Sequence, residues 1–340
     1  MSDKPPTPKR WAISSQMKQM ESDGIQPVPP VSLSAVRLLN KILRLQGHYR
    51  VLLKMLTPRS GIYSIKTDGF HVFYPAKWMS SDLLLSGVNK TVPDFTLVRD
   101  LIPKFDGAFV DVGANTGHWS LLVWKNYACR VFAYEPDPIL FEVLKLNVKQ
   151  NNLHEVTCFN YGLSNTETSL KFNTGPNGSF ENREIVSPSN TTYEIDWNDC
   201  VVTSEHEIAI RVTSLDNDLS AQKIGLIKID CEGFEVQVIE GSLGIIKSQM
   251  PHLFVEIHPS ILKGNGISSD WIFRLLDEIY NIKFFLPPYE PKTKVGRFTD
   301  RYITRSHKEI SREQYARIYA TEDEVTQMYA YCEPRRSSSK

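Results

Sequence analysis

Two short stretches hold most of the side chains able to move a proton or hold a reacting hydroxyl. Residues 226–233, LIKIDCEG, place Asp230 and Glu232 just past an apolar run. Residues 252–258, HLFVEIH, end a second apolar run in Glu256 and His258. A carboxylate can hold a hydroxyl, and a histidine beside a carboxylate accepts a proton near neutral pH. Glu256 and His258 are two apart, so a regular strand sends both to one face. The pattern predicts His258 as base, Glu256 or Glu232 as its orienting partner, and Asp230 holding the hydroxyl. Glu256 inside an apolar strand is costly unless paired. Two plainer readings stand beside this one: a strand-end histidine can be purely structural, and Asp230, Glu232 and Glu256 would also suit a hard divalent cation. No metal is assigned. Cys231 reads as a small buried thiol.

A second set lies upstream. Residues 109–120, FVDVGANTGHWS, end an apolar run in Asp111 and follow it with Gly113, Ala114, Asn115, Thr116 and Gly117. Glycine lets a backbone approach a ligand closely and lets a helix pack tightly. A nicotinamide fingerprint would read G-x-G-x-x-G and favour a pyrophosphate. This loop is D-x-G-x-x-x-G, and an anion beside Asp111 would be repelled. The next apolar run ends FAYEPDP, with Glu135 and Pro136 at its close. An acid there can accept hydrogen bonds from both ribose hydroxyls. An adenosyl group with a cationic amino-acid tail satisfies both features, which points to S-adenosyl-L-methionine. Its ribose is expected on Glu135, its methionine portion along 113–117, its ammonium near Asp111, and its adenine near Asn160, Gly162 and Leu163. The alternative is that Asp111 and Glu135 only cap strand ends.

The elements that must position these residues follow from periodicity. Short apolar runs at 109–112, 130–134, 155–160, 226–230 and 252–258 alternate with helical stretches at 117–126, 138–150 and after 268. That alternation predicts an α/β fold, a doubly wound and mostly parallel sheet with helices on both faces. Asp137-Pro138 supplies a capping acid and a first-turn proline. Residues 1–30 read as a mobile tail. The segment 31–81 reads as a helix over 32–56 and a hairpin around Asp68-Gly69. The main domain is expected over 82–289, interrupted at about 164–222 by a polar segment with strands at SLKF and EIAIRV. Residues 173–207 within it are expected to border the acceptor side of the pocket, with Asn177, Gly178 and Ser179 closing over the ligand. Residues 290–340 read as a C-terminal appendage with a helix after Ser311. The Pro-Pro-Tyr of LPPYE (286–290) follows the last helix of the domain and is assigned no role.

In order, FVDVGANTGHWSLL, AYEPDP, NYGLSN, VTSLD, IKIDCEGFEVQVIEGS and FVEIHP resemble the FkbM family of S-adenosylmethionine-dependent methyltransferases, over roughly residues 82–287. The resemblance implies a class I Rossmann-like fold and O-methylation of a hydroxyl on a sugar, glycan or natural product. The segment 180–207 and both terminal extensions depart from the family pattern.

Bulk properties narrow the rivals. The 340 residues carry 39 basic and 39 acidic side chains, a formal charge of zero. A general polyanion binder normally shows a basic surplus, so a nucleic-acid methyltransferase is the lesser reading and no nucleic-acid partner is expected. A non-catalytic adenosyl-binding protein is the other rival; the acids and histidine at 230–258 weigh against it. The five cysteines form no C-x-x-C pair, so neither zinc nor a disulfide framework is expected. The N-terminus shows no apolar signal region and no window spans a bilayer. A cytoplasmic protein is expected. Oligomeric state is not legible.

Overall fold

A computed structural model describes residues 62–67, 69–75, 93–174, 179–184, 194–196, 201–203, 208–288, 306–321 and 327–335. The expected tail, the expected helix over 32–56, Asn177, Gly178, Tyr289 and most of 180–207 lie outside these residues.

A hairpin opens the described chain: β1 (Ile62–Thr67) and β2 (Phe70–Pro75) pair antiparallel around Gly69. Helix α1 (Pro93–Leu101) follows, then β3 (Ala108–Val112), α2 (His118–Tyr127), β4 (Val131–Tyr134), α3 (Pro138–Gln150) and β5 (Val156–Phe159). Asp137 caps α3 as its sequence implied, accepting from the N–H groups of Ile139 and Leu140. Next come β6 (Gly162–Leu163), β7 (Thr168–Asn173), β8 (Ser179–Glu184), β9 (Glu194–Asp196), β10 (Val201–Thr203) and β11 (Ala209–Thr213). The chain continues through α4 (Leu215–Leu219), β12 (Ile224–Ile229), α5 (Glu235–Glu240), α6 (Leu243–Gln249) and β13 (His252–Ile257). It ends with α7 (Pro259–Gly264), α8 (Trp271–Leu276), β14 (Tyr280–Leu286), β15 (Lys308–Ile310), α9 (Arg312–Thr321) and β16 (Met328–Pro334).

Eight strands form the main sheet in the order β15-β14-β16-β13-β12-β3-β4-β5. From β13 to β5 every pairing is parallel. The sheet grows from β3 outward through β4 and β5, then resumes on its other side at β12. The strand order thus reverses between β3 and β12, the place where such sheets bind ligands beyond their carboxyl ends.

Both faces are covered, which is why the central strands read as apolar runs. Val110, Val112, Ile227, Ile229, Val255 and Ile257 share one core with Val238 of α5, Ile245 of α6 and Trp271 of α8. Their neighbours Phe109, Leu226 and Phe254 face the other core, with Phe95 of α1, Leu121 of α2 and Leu144 of α3.

Within 290–340 the described strands belong to the main sheet and are not an appendage. β16 is hydrogen-bonded between β13 and β14, antiparallel to both, and is buried from Met328 to Cys332. Tyr315 of α9 stacks on Phe284 at 4.1 Å. A charged flanking sequence masks a strand whose apolar partners lie some 75 residues upstream. The strands expected at SLKF and EIAIRV do pair, Leu170 opposite Ile210, within a separate sheet of order β6-β11-β7-β8. Among the described residues no helix is long and apolar enough to cross a membrane, and Cys129, Cys158, Cys231 and Cys332 are free.

Candidate active site

A cavity of about 650 Å³, counted to its open mouth, lies at the switch point. Gly113, Asn115, Glu135, Pro136, Gly162 and Leu163 line it from the β3, β4 and β6 side. Asp230 and Glu232 line it from beyond β12, with Phe172 and Phe234 as apolar wall.

The first glycine answers a packing constraint. Gly113 has φ +73°, and a Cβ there would stand 1.7 Å from the carbonyl oxygen of Asp230. The loop after β3 and the end of β12 are pressed together, and Asp230 N–H donates to Val112 O at 3.1 Å. Gly117, at φ +84°, begins α2; a Cβ there would meet Leu144 of α3 at 2.4 Å. It serves helix packing, as expected. Ala114 and Thr116 are buried and do not line the cavity.

Glu135 is 4% exposed. Asn115 N–H donates to its Oε2 and Asp137 N–H to its Oε1, each at 2.7 Å. Burial, then the neighbouring Asp137 carboxylate, lifts its carboxyl to about 8, against the two backbone donors. Asn160 does not line the cavity. Its Nδ2 donates to the carbonyls of Glu135 and Pro136, while Oδ1 is buried without a partner.

Asp111 departs from expectation. Its carboxylate is wholly buried, accepts from Ser120 Oγ at 2.6 Å, and lies 3.4 Å from Lys228 Nζ. The ammonium beside it is the protein's own, so no ligand ammonium is placed there. Lys228 stands directly across from Asp111 on β12 and also reaches Asp230 Oδ2 at 3.2 Å and Gly113 O at 3.1 Å. Burial opposes its charge, but Asp230, Asp111 and Glu256 outweigh this and hold its ammonium above the usual lysine value. The residue was missed in the sequence; its signal was one lysine in an otherwise apolar central strand.

Asp230, Glu232, Glu256 and His258 do converge. His258 Nε2 lies 3.5 Å from Glu232 Oε2, 3.7 Å from Glu256 Oε1 and 4.0 Å from Asp230 Oδ1. β13 ends at Ile257, so His258 is positioned by the turn into α7 and not by strand regularity. Its orienting partner is neither Glu232 nor Glu256. Glu235, fully buried at the start of α5, bonds His258 Nδ1 through Oε1 at 2.7 Å. It also was missed, although it closes the IDCEGFE stretch.

This environment changes the histidine's chemistry. Burial alone would lower its pKa, but the bond to Glu235 and the charges of Glu235, Glu232 and Asp230 raise it to about 9. A proton held this firmly weighs against the expected role of His258 as base. Burial, with Asp230 next, lifts Glu256 to about 9. Glu232 is raised by burial, opposed by His258, and remains partly open to the cavity. Its backbone is in the left-handed region, φ +46°, unusual for a non-glycine residue. Such outliers cost on the order of 1–3 kcal/mol and cluster at functional sites.

Comparison with known proteins gives the family. Residues 111–283, just over half of the chain, match the methyltransferase FkbM domain. Over 152 residues the chain is 26% identical to Methyltransferase 1 of Beauveria bassiana, aligning 42% of this chain and 61% of that protein. Over 159 residues it is 26% identical to the hexuronic acid methyltransferase AglP of Haloferax volcanii, aligning 46% and 58%. The chain spans about three fifths of the length of these curated relatives. Among solved structures it is similar to a methyltransferase FkbM from Methylobacillus flagellatus, at 18% identity, 52% and 39% coverage and a TM-score of 0.34. The chain belongs to the FkbM methyltransferase family.

Proposed function

We propose that this chain transfers a methyl group from S-adenosylmethionine to a hydroxyl of a sugar, glycan or natural-product acceptor. The observation that carries the reading is one cavity lined on one side by Glu135 and on the other by Asp230 and Glu232. The residues present fit the cofactor. Glu135 uses one hydrogen bond per oxygen on its own loop, leaving lone pairs for ribose hydroxyls. Gly113 and Asn115 line the cavity where the methionine portion would lie, and Gly162 and Leu163 line it where the adenine would. When bound, S-adenosylmethionine supplies a methyl group on a sulfonium, already a good leaving group.

The protein's own task is to position an acceptor and take its proton. Lys228 fixes Asp230, which holds the acceptor hydroxyl. Glu232, raised above the usual carboxylate value and open to the cavity, takes the proton. The relative named a hexuronic acid methyltransferase supports a sugar acid as one acceptor class.

The test incubates the full chain with cell extracts and isotopically methyl-labelled S-adenosylmethionine. Mass spectrometry is expected to find label in an O-methyl ether. Label confined to nucleic-acid nitrogen, or NADH binding more tightly than S-adenosylhomocysteine, would overturn the reading.

A further inference from the structure

We infer that Asp230, Glu256 and His258 form a divalent-cation site that meets the cavity at Asp230, bound through Asp230 Oδ1, Glu256 Oε1 and His258 Nε2. Donor atoms of these three residues lie within 4.8 Å of one another. His258 Nε2 is 3.7 Å from the Glu256 oxygen and 4.0 Å from the Asp230 oxygen. Two ligands each about 2.1 Å from one ion stand roughly 3.0–4.2 Å apart as their angle opens from a right angle to a straight line. The spacing suits one shared ion with little movement.

A second observation concerns the histidine. His258 is 6% exposed, and its Nε2 points into the cluster with its nearest polar neighbours at 3.5–4.0 Å. That is beyond the roughly 3.2 Å of a well-made hydrogen bond. Its other nitrogen is held by the buried carboxylate of Glu235 at 2.7 Å. A ligating histidine almost always has its second nitrogen fixed in this way. Lys228 takes Asp230 Oδ2 and leaves Oδ1. Its charge also weakens the site, and the ion must displace the protons that His258 Nε2 and Glu256 hold at neutral pH, so affinity falls in roughly the 10⁻⁵–10⁻³ M range and tightens as pH rises.

One imidazole with two carboxylates suits an ion of the Mn²⁺ type, hard enough for oxygen and tolerant of nitrogen. Asp230 lines the cavity, so the ion's remaining positions face the acceptor. This inference rests on the proposed hydroxyl methylation for its role: the ion holds the acceptor oxygen that Asp230 was to hold alone, and Glu232 stays free to take the proton.

The full chain, without acceptor, is titrated with MnCl₂ and free ion is followed by electron paramagnetic resonance. One saturable site is expected. Glu256→Gln and Asp230→Asn should each weaken it at least about 10-fold, and Glu235→Gln by about 10–100-fold. Asp270→Asn, at an exposed acid on another surface, should leave it unchanged. Glu256→Gln carries the test if Glu235→Gln fails to fold. No saturable binding below about 1 mM, or equal binding in Glu256→Gln, would overturn the site. Calorimetry with S-adenosylhomocysteine on the same sample separates the two claims. Mn²⁺ binding without nucleoside binding upholds the site and sinks the methyl-transfer reading; methyl transfer unaffected by chelation does the reverse.

Discussion

The two walls of the cavity are built from different physics. The β3–β4 wall is fixed by backbone: Gly113 and Ala114 N–H groups donate to Tyr134 O, and Asn115 N–H donates to Glu135. The β12–β13 wall is fixed by charge: five carboxylates, one lysine and one histidine meet within a few ångströms. Bonds between backbone groups hold one geometry whatever the pH, which leaves Glu135 to carry this wall's response to pH. A charge cluster keeps its shape only while its proton count is right. The first wall suits binding a nucleoside in one pose; the second suits handling a proton.

The sharpest test of that contrast is to disturb one wall and read the other. Glu232→Gln keeps shape and removes the proton acceptor. Turnover should fall about 10²–10⁴-fold, with affinity for S-adenosylhomocysteine nearly unchanged. A variant that turns over normally would return the base role to another residue of the cluster.

Gly113→Ala strikes the seam between the walls. Its Cβ would stand 1.7 Å from the Asp230 carbonyl oxygen, and the obstacle is backbone, not a side chain that can swing away. The φ of +73° adds strain. Destabilisation of about 3 kcal/mol or more is expected from overpacking plus strain, read as a lowered denaturation midpoint. A wild-type midpoint would mean that the two strand ends separate freely.

How much of this was legible depends on the range of the interactions. Strands at 109–112 and 226–230 and the turn at Asp137-Pro138 follow from local pattern, and the structure has them. So does the convergence of Asp230, Glu232, Glu256 and His258, because strand ends of a parallel sheet share one edge. The Glu235–His258 bond was not legible: its partners are 23 residues apart and meet only because α5 and α7 start side by side. Lys228 was half legible, since a lone charge in a buried strand requires partners, but nothing local says that Asp111 is one. β16 was hidden because strand pairing across most of the domain leaves no trace in a short window.

Glu135 carries the pH dependence of the first wall. Its carboxyl is lifted to about 8 in the folded protein from an ordinary value of 4.5. Between those values the folded state holds a proton that the unfolded state has lost, so this group's contribution to stability falls as pH rises from 4.5 to about 8. Cofactor binding runs the other way. The carboxylate accepts from both ribose hydroxyls and the acid does not, so affinity should rise with pH up to about 8, with proton release seen by calorimetry in buffers of differing ionisation enthalpy. Glu135→Ala should cost about 1.5–3 kcal/mol of binding. Affinity flat from pH 6 to 9 would detach Glu135 from the ribose.

The smallest effect separates a strut from a reader. Asn160 Nδ2 braces the Glu135 and Pro136 carbonyls, and Oδ1 is left without a partner. If Asn160 is only a brace, Asn160→Ala loosens the end of β4 and weakens every nucleoside ligand alike, by about 1 kcal/mol. Asn160 does not line the cavity, so its Oδ1 meets the adenine amino group only if a seating ligand opens the wall, and the loss then depends on that amino group. S-adenosylhomocysteine then loses about 1 kcal/mol more than its inosine counterpart, whose ring carries a carbonyl in place of the amine. Calorimetry of both ligands with both proteins gives the difference directly. Equal losses leave Asn160 as part of the backbone-built wall. Unequal losses make it a side chain that recognises the base.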